Sequence, residues 1–581
     1  MLFLELPSEL VLACLAYLPY HDLSSCINAG NRLLLSTILE SPVTLYNAEQ
    51  ERAGVDENPF HPDTTRSSIA ERRDALRKRE DNWLYLSPQT LTCPSIDFVA
   101  SRGVYWIAGD YWIIGDALDP GSLRPMALKF LRTGPRREDE PEWRTAEARW
   151  RRVVDFVAAP EELDLVAMIT YGVVENTPPT CSIDIHLLSF SSMSTPHPLA
   201  ASPIIHIHDI SLLDGAPSIT IDISGRILAF SMLYPGAADL HKDGLYLYDW
   251  QSGLPLANPI PIQSNGPIGL TFITPRYLLL SNAASFSLDI LDVMVSPPRL
   301  THSFKLPPLK PNHHVTSVQF RTLPNPSWAP AAHRFARSHT RFLPRPARAL
   351  VQCAFNTEEN YLPTLHVFVL RRACLIDLIS PHEEFIEVNW PDWGPTCTRF
   401  LDARNMTLHP CTTLTGERLV SLETLPSLNF GKYIRVFNFN AGSVRVVKKR
   451  IGRAMGDPDV VQDDGDGPTL YTEYATVRVV DADAPRDPAA PQPLIITDPA
   501  PQDENDMDVD DAQGELDLLF PSLAVFADPS SVVSDIPYVE STARAECDYS
   551  AVEINHEAIV GTRFGPLLTL SIDAVDVLHF G

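Results

Sequence analysis

The sequence predicts a multi-domain protein: a small all-α N-terminal unit of three helices, a linker helix, and a large all-β domain best read as a degenerate β-propeller. Three observations carry this. Residues 1–40 contain 24 apolar residues in short helical runs. Ile69, Leu76 and Trp83 then recur every seven residues through an otherwise charged stretch. From about residue 95 onward, short alternating runs of aromatic and β-branched residues are separated by Gly and Pro. Proline supports the last point: 52 prolines in 581 residues is roughly 9%, against the usual ~5%.

The first helix opens at Leu6-Pro7-Ser8-Glu9-Leu10, because a first-turn Pro has no N–H to leave unsatisfied. Positions 10–18 are apolar on every side, which calls for burial on every side. Pro19 ends that helix, Asp22 suits the first turn of a second, and Gly30 or Asn31 breaks before a third at Arg32–Leu39. Some forty residues cannot bury so much apolar surface alone, so the segment needs a partner in this chain or another.

The pattern Leu6-Pro7-x-Glu9-Leu10 followed by Leu15-x-x-Leu18-Pro19-x-x-Asp22-Leu23 resembles the F-box, the three-helix adaptor-binding motif of SCF-type ubiquitin ligases. The resemblance covers about 40 residues. It implies that Leu6, Pro7, Leu10, Leu15, Leu18, Pro19 and Leu23 sit on or beneath a surface that docks a Skp-family adaptor and, through it, a cullin–RING ligase. Where the motif usually carries a basic pair and a Trp, this chain has Asn31, Arg32 and Leu33.

Residues 67–86 read as one helix, with Ser68 and Glu71 as a capping box and Asp74–Lys78 as a favourable i,i+4 pair. Its seam of Ile69, Leu76 and Trp83 packs on a neighbour, and Arg72, Arg73, Arg77, Lys78, Arg79, Glu80 and Asp81 take the other faces. Gly54–Thr65, with Pro59 and Pro62, reads as a flexible connection. The expected divisions are residues 1–45, 46–90 and 95–581.

In the β-region, Gly103–Asp110 and Tyr111–Asp116 form a hairpin closed by Gly-Asp turns. Ile183–Phe190 continues the strand pattern. Gly244–Gly253, Phe286–Val293 and Tyr433–Gly442 look like versions of one element, with Leu365–Leu370 and Val575–Gly581 as looser copies. Strand ends at 190, 250, 292, 369 and 437 lie 60, 42, 77 and 68 residues apart. A four-stranded blade takes ~40–45 residues, so the longer spacings need loop insertions. Intact Gly-His…Trp-Asp signatures are missing, hence a degenerate WD-like propeller; a pair of β-sandwiches is the competing architecture. The order of F-box, short basic helix with Trp, and blade-like β-region is similar to that of fungal F-box proteins. Within that resemblance, Asn555–Gly561 and Val575–Phe580 make the last blade.

The net charge of −27 argues against a nucleic-acid binder. Residues 457–517 hold 18 acidic and 2 basic side chains and read as a partly disordered insertion in a propeller loop. Arg334, Arg337, Arg341, Arg345 and Arg348 lie in a 15-residue stretch without an acid. That stretch is either a solvated loop or a docking site for an acidic or phosphorylated segment of a target.

No apolar run approaches the ~18 residues of a membrane span, and Glu5 and Glu9 stand where a secretory signal carries basic residues. Nine scattered Cys suggest neither a disulfide framework nor a zinc site, so a cytoplasmic or nuclear location is expected. Cys14 and Cys26 read as small core residues. His382-Glu-Glu-Phe-Ile386 lacks the second His of a zincin helix, and Asp506-x-Asp508-x-Asp510 lacks the calcium-loop Gly. His206 and His208 share one face of a strand without an indicated third ligand. Catalytic, cofactor and metal sites are therefore not expected. The chain is expected to be a non-catalytic substrate receptor that presents an unknown protein target, or else a propeller scaffold whose N-terminal helices pack in cis.

Overall fold

The computed structural model describes residues 6–581 except 16–17, 19, 118–124, 135–141, 149–150, 175–179, 212–216, 235–242, 263–267, 327–337, 360–361, 381–383, 404–405, 408–412, 426–430, 456–460, 464–467, 483–524, 528–531 and 566–570. Helices α1 (Ser8–Leu15), α2 (Tyr20–Asn28), α3 (Arg32–Leu39) and α4 (Pro42–Ala53) come first. A strand, Val55–Glu57, a short helix α5 (Pro62–Arg66) and the long helix α6 (Ile69–Tyr85) follow. The capping box of α6 is present: Ser68 Oγ accepts from the Glu71 N–H, and Glu71 accepts from the Ser68 N–H.

Seven sheets then succeed one another along the chain, antiparallel except that Ile386–Val388 adds to the outer edge of the fourth in parallel. Blades 1–7 occupy residues 100–147, 152–211, 218–261, 270–305, 314–401, 406–543 and 551–579. Their inner strands, from Ala100–Ala108 in blade 1 to Ala551–Ile554 in blade 7, lie side by side around a ring. Blade 7 takes its fourth strand from the other end of the chain: Thr90–Thr92 pairs antiparallel with Val577–His579. This strand closes the ring and had no signal in the sequence beyond three residues of ordinary β propensity.

The apolar clusters establish the closed ring independently. Seven of them each fill the seam between two adjacent blades, the seventh joining blade 7 to blade 1 through Ile107, Trp112, Val560 and Val577. Two β-sandwiches would instead concentrate their apolar residues in two cores. The all-β domain is therefore a seven-bladed propeller. The segments read as copies of one element, and the Ile183–Phe190 run before them, all fall in the third strand of a blade. Thr180–Ser189, Gly244–Asp249, Ser287–Asp292, Leu362–Arg371, Gly431–Asn438 and Ile572–His579 serve blades 2 to 7 in turn. The hairpin at 103–116 is the first pair of strands of blade 1.

Several expectations change. The connection at 54–65 is ordered, because Val55–Glu57 pairs antiparallel with Phe342–Pro344 and α5 follows. Arg79 and Glu80 of α6 are buried rather than solvated. Part of the acidic insertion is structured: Val461–Asp463, Pro468–Tyr471 and Ala475–Val480 extend the sheet of blade 6 beyond Tyr538–Ala543. The densest acidic run, Asp503–Asp511, lies outside the described residues, as does His382. Between the last two strands of blade 5, helices α7 (Arg372–Leu378) and α8 (Trp390–Cys397) are joined by a disulfide, Cys374–Cys397, which cysteine spacing had not suggested. Cys14 is exposed, not a core residue.

Candidate functional site

Helices α1–α3 have a core of their own. Val11, Leu15, Leu23, Leu34 and Ile38 are buried together, with Leu6, Leu18, Cys26 and Ile27 at the edge and Leu45 and Ala48 of α4 completing it. Asn31 is the N-cap of α3, its side-chain oxygen accepting from the N–H groups of Leu33 and Leu34 at 3.0 and 3.1 Å. Other leucines of the unit stay exposed: Leu10 is 52% exposed, Leu33 57% and Leu39 54%. Burial of α1 on every side is thus not achieved among the described residues. Of the residues named for adaptor docking, Pro7 and Leu10 are exposed, Leu6 and Leu18 half-buried, and Leu15 and Leu23 lie in the core beneath. Pro19 lies outside the described residues.

Helix α4 is two-faced. Leu45 and Ala48 look into the three-helix core, whereas Tyr46 and Ala53 pack with Val55, Leu76 and Phe342. The arginine-rich stretch meets it there. Arg345 pairs with Asp56 at 2.8 Å and with Glu51, Arg348 pairs with Glu51, and Arg341 pairs with Glu57 at 3.1 Å. The acidic segment these three arginines hold is the chain's own, so in this fold they are engaged within the chain rather than forming a solvated loop. Arg334 and Arg337 lie outside the described residues. Ion pairs at exposed positions contribute little each, but a strand pairing beneath them fixes their geometry.

Helix α6 is seated on the last two blades. Trp83 stacks on Phe580, ring centroids 4.3 Å apart. Beside it, Glu80 accepts from both Arg79 (2.6 Å) and Arg418 (2.5 Å), and Arg79 also donates to the His556 carbonyl. Burial alone would raise the Glu80 carboxyl, but the Arg418 and Arg79 guanidiniums outweigh it and hold it below the usual range.

The two ends of the propeller channel differ as a result. At the end where the inner strands finish, Asn58 donates to the Ser338 and Thr340 carbonyls, and His556 Nε2 lies 3.1 Å from Thr340 Oγ1. The segment 338–348 and the α5–α6 region therefore cap this end. Toward the start of the inner strands a cavity of about 430 Å³ opens, lined among others by Tyr105, Trp106, Asp155, Thr220, Gln319 and Arg321. The Arg321 guanidinium lies over Trp106 at 3.6 Å and donates to the Ile107 carbonyl at 2.6 Å. Asp222 accepts from Thr271 Oγ1 and the Phe272 and Ile223 amides, and burial raises its carboxyl.

The histidine pair of blade 2 is separated. A register shift between His206 and His208 lets His206 pair with Asp184 at 2.9 Å, while His208 Nε2 lies 2.9 Å from the Tyr234 hydroxyl.

No family model matches the chain, and neither does any curated protein. Among solved structures, the WD40 domain of Toxoplasma gondii coronin aligns with 10% identity over 61% of this chain and 74% of that one, at a TM-score of 0.30. A functionally unknown protein from Desulfotomaculum acetoxidans aligns with 14% identity over 59% and 83%, at a TM-score of 0.25.

Proposed function

We propose that this protein is the substrate-receptor subunit of an SCF-type ubiquitin ligase. Helices α1–α3 dock a Skp-family adaptor and, through it, a cullin–RING ligase, and the propeller holds a protein target. The chain supplies no catalytic group; it acts by positioning, raising the effective concentration of target lysines near the charged ubiquitin carrier. One observation carries this reading: α1–α3 fill a core with their own residues and those of α4, yet leave Leu10, Leu33 and Leu39 more than half exposed. Single exposed leucines are ordinary, but three on one small helical unit suit a docking face.

The connection supports it. The α4 seam, the paired strand Val55–Glu57 and the buried Glu80 network attach the helices to one end of the propeller. The cavity toward the other end of the channel is the place for a target.

The test is co-purification with a Skp-family adaptor, wild type beside a Leu10→Asp/Leu33→Asp variant. A stoichiometric complex that is lost in a still-folded variant supports the proposal. A folded wild type that forms no complex refutes it and favours a propeller scaffold outside any ligase.

A further inference from the structure

We propose that Asp110, Glu161 and His556 form a binding site for one divalent transition-metal ion of the zinc type, clamping the ring where its two ends meet. Each residue lies in the turn after the inner strand of its blade. The blades are 1, 2 and 7, consecutive around the closure point. One ligand atom from each residue can be chosen so that all lie within 4.8 Å of one another. All three side chains are buried, at 4%, 7% and 5% residue exposure.

Asp110 Oδ1 is buried, and it faces His556 Nε2 at 3.4 Å, a spacing that serves an ion pair and a shared cation alike. Two donors each ~2.1 Å from a tetrahedral ion stand ~3.4 Å apart. The other Asp110 oxygen is held by the His339 amide at 3.0 Å, which orients the carboxylate. Glu161 and His556 also line a cavity of about 40 Å³, against the ~10–15 Å³ that a water needs, so a water can complete the coordination. Gly109, at φ +53°, lets the turn approach: a Cβ there would come within 3.2 Å of Glu161 Oε1. One imidazole and two carboxylates suit zinc, with manganese and iron as competitors.

The clamp would act on more than the ring. Thr340 Oγ1, 3.1 Å from the same His556 Nε2, would give that nitrogen up to the ion, while Arg79 of α6 still donates to the His556 carbonyl. Loading would therefore reach the helical unit through the His556 backbone, where Arg79 of α6 is held.

The full chain, stripped with a chelator, is titrated with Zn²⁺ alone by calorimetry, wild type beside Glu161→Gln and Asp110→Asn. One Zn²⁺ per chain is expected, with affinity falling at least ~10-fold in each variant. X-ray absorption on the zinc-loaded wild type should show one imidazole among oxygen donors, a readout that does not depend on the variants folding. Stripped wild type that takes up no Zn²⁺ overturns the proposal. So does uptake undiminished in both variants, or a spectrum with sulfur or several imidazoles.

Discussion

Glu553 sits on the inner strand of blade 7, and the indole N–H of Trp112 in blade 1 donates to it. It is 2% exposed, and burial pushes its carboxyl from an ordinary 4.5 up to about 8, opposed only in part by Trp112 and Arg321. A carboxyl with a raised folded pKa binds its proton more tightly in the folded chain than in the unfolded one. Stability is then fully present below the unfolded value and declines as pH rises toward 8, after which it levels. At about 1.36 kcal/mol per pH unit, the decline attributable to this one group is on the order of 5 kcal/mol. Glu553→Gln keeps an acceptor for Trp112 and cannot ionise, so it should remove that slope. The assay is chemical denaturation of wild type and variant from pH 5 to 9, followed by tryptophan fluorescence. The two stability curves should meet near pH 5 and separate progressively, with the variant the more stable at pH 8. Parallel curves would refute the reasoning, because Glu553 would then be ionised within the fold.

Three further outcomes are expected. Leu15→Ala, at a core position 2% exposed, should cost the helical unit ~2–5 kcal/mol; Leu10→Ala should change it by within ~0.5 kcal/mol. Hydrogen exchange over residues 8–39 separates the two. Glu80→Ala leaves Arg79 and Arg418 buried without their carboxylate and should loosen α6 by ~3–5 kcal/mol, read as protease sensitivity at 67–90. Because the folded Glu80 carboxyl is depressed, its contribution is present above the ordinary carboxylate range and disappears as pH falls below it. Arg345→Glu places a like charge against Glu51 and Asp56, so cleavage between 54 and 67 should accelerate. High salt should speed cleavage of the wild type and narrow the gap to the variant.

What could be read along the chain was whatever depended on neighbours in sequence. Helix α3 begins and ends where the capping and apolar pattern put it, at Arg32 and Leu39, because a cap is made by residues two or three positions apart. The capping box of α6 is legible for the same reason. The third strand of each later blade was visible because it is buried on both sides and keeps one pattern of apolar residues between turns. The docking face was legible only as an excess of apolar residues; which of them turn outward, Leu10 and Leu33 but not Leu15, depends on how three helices pack.

Tertiary structure decided everything that joins distant residues. Arg79 and Glu80 look like surface charges until Arg418, 338 residues beyond Glu80, comes to meet them. The arginines at 341–348 read as a docking stretch, and nothing local says that the acidic segment they hold is residues 51–57 of the same chain. Asp110, Glu161 and His556 carry no common motif and meet only because closing the ring brings blade 7 against blade 1. Local pattern determines which strands and helices form, because backbone conformation and amphipathic period are set within a few residues. Ring closure rests on the pairing of Thr90–Thr92 with Val577–His579 and on the seam between blades 7 and 1, contacts that only the folded chain can make.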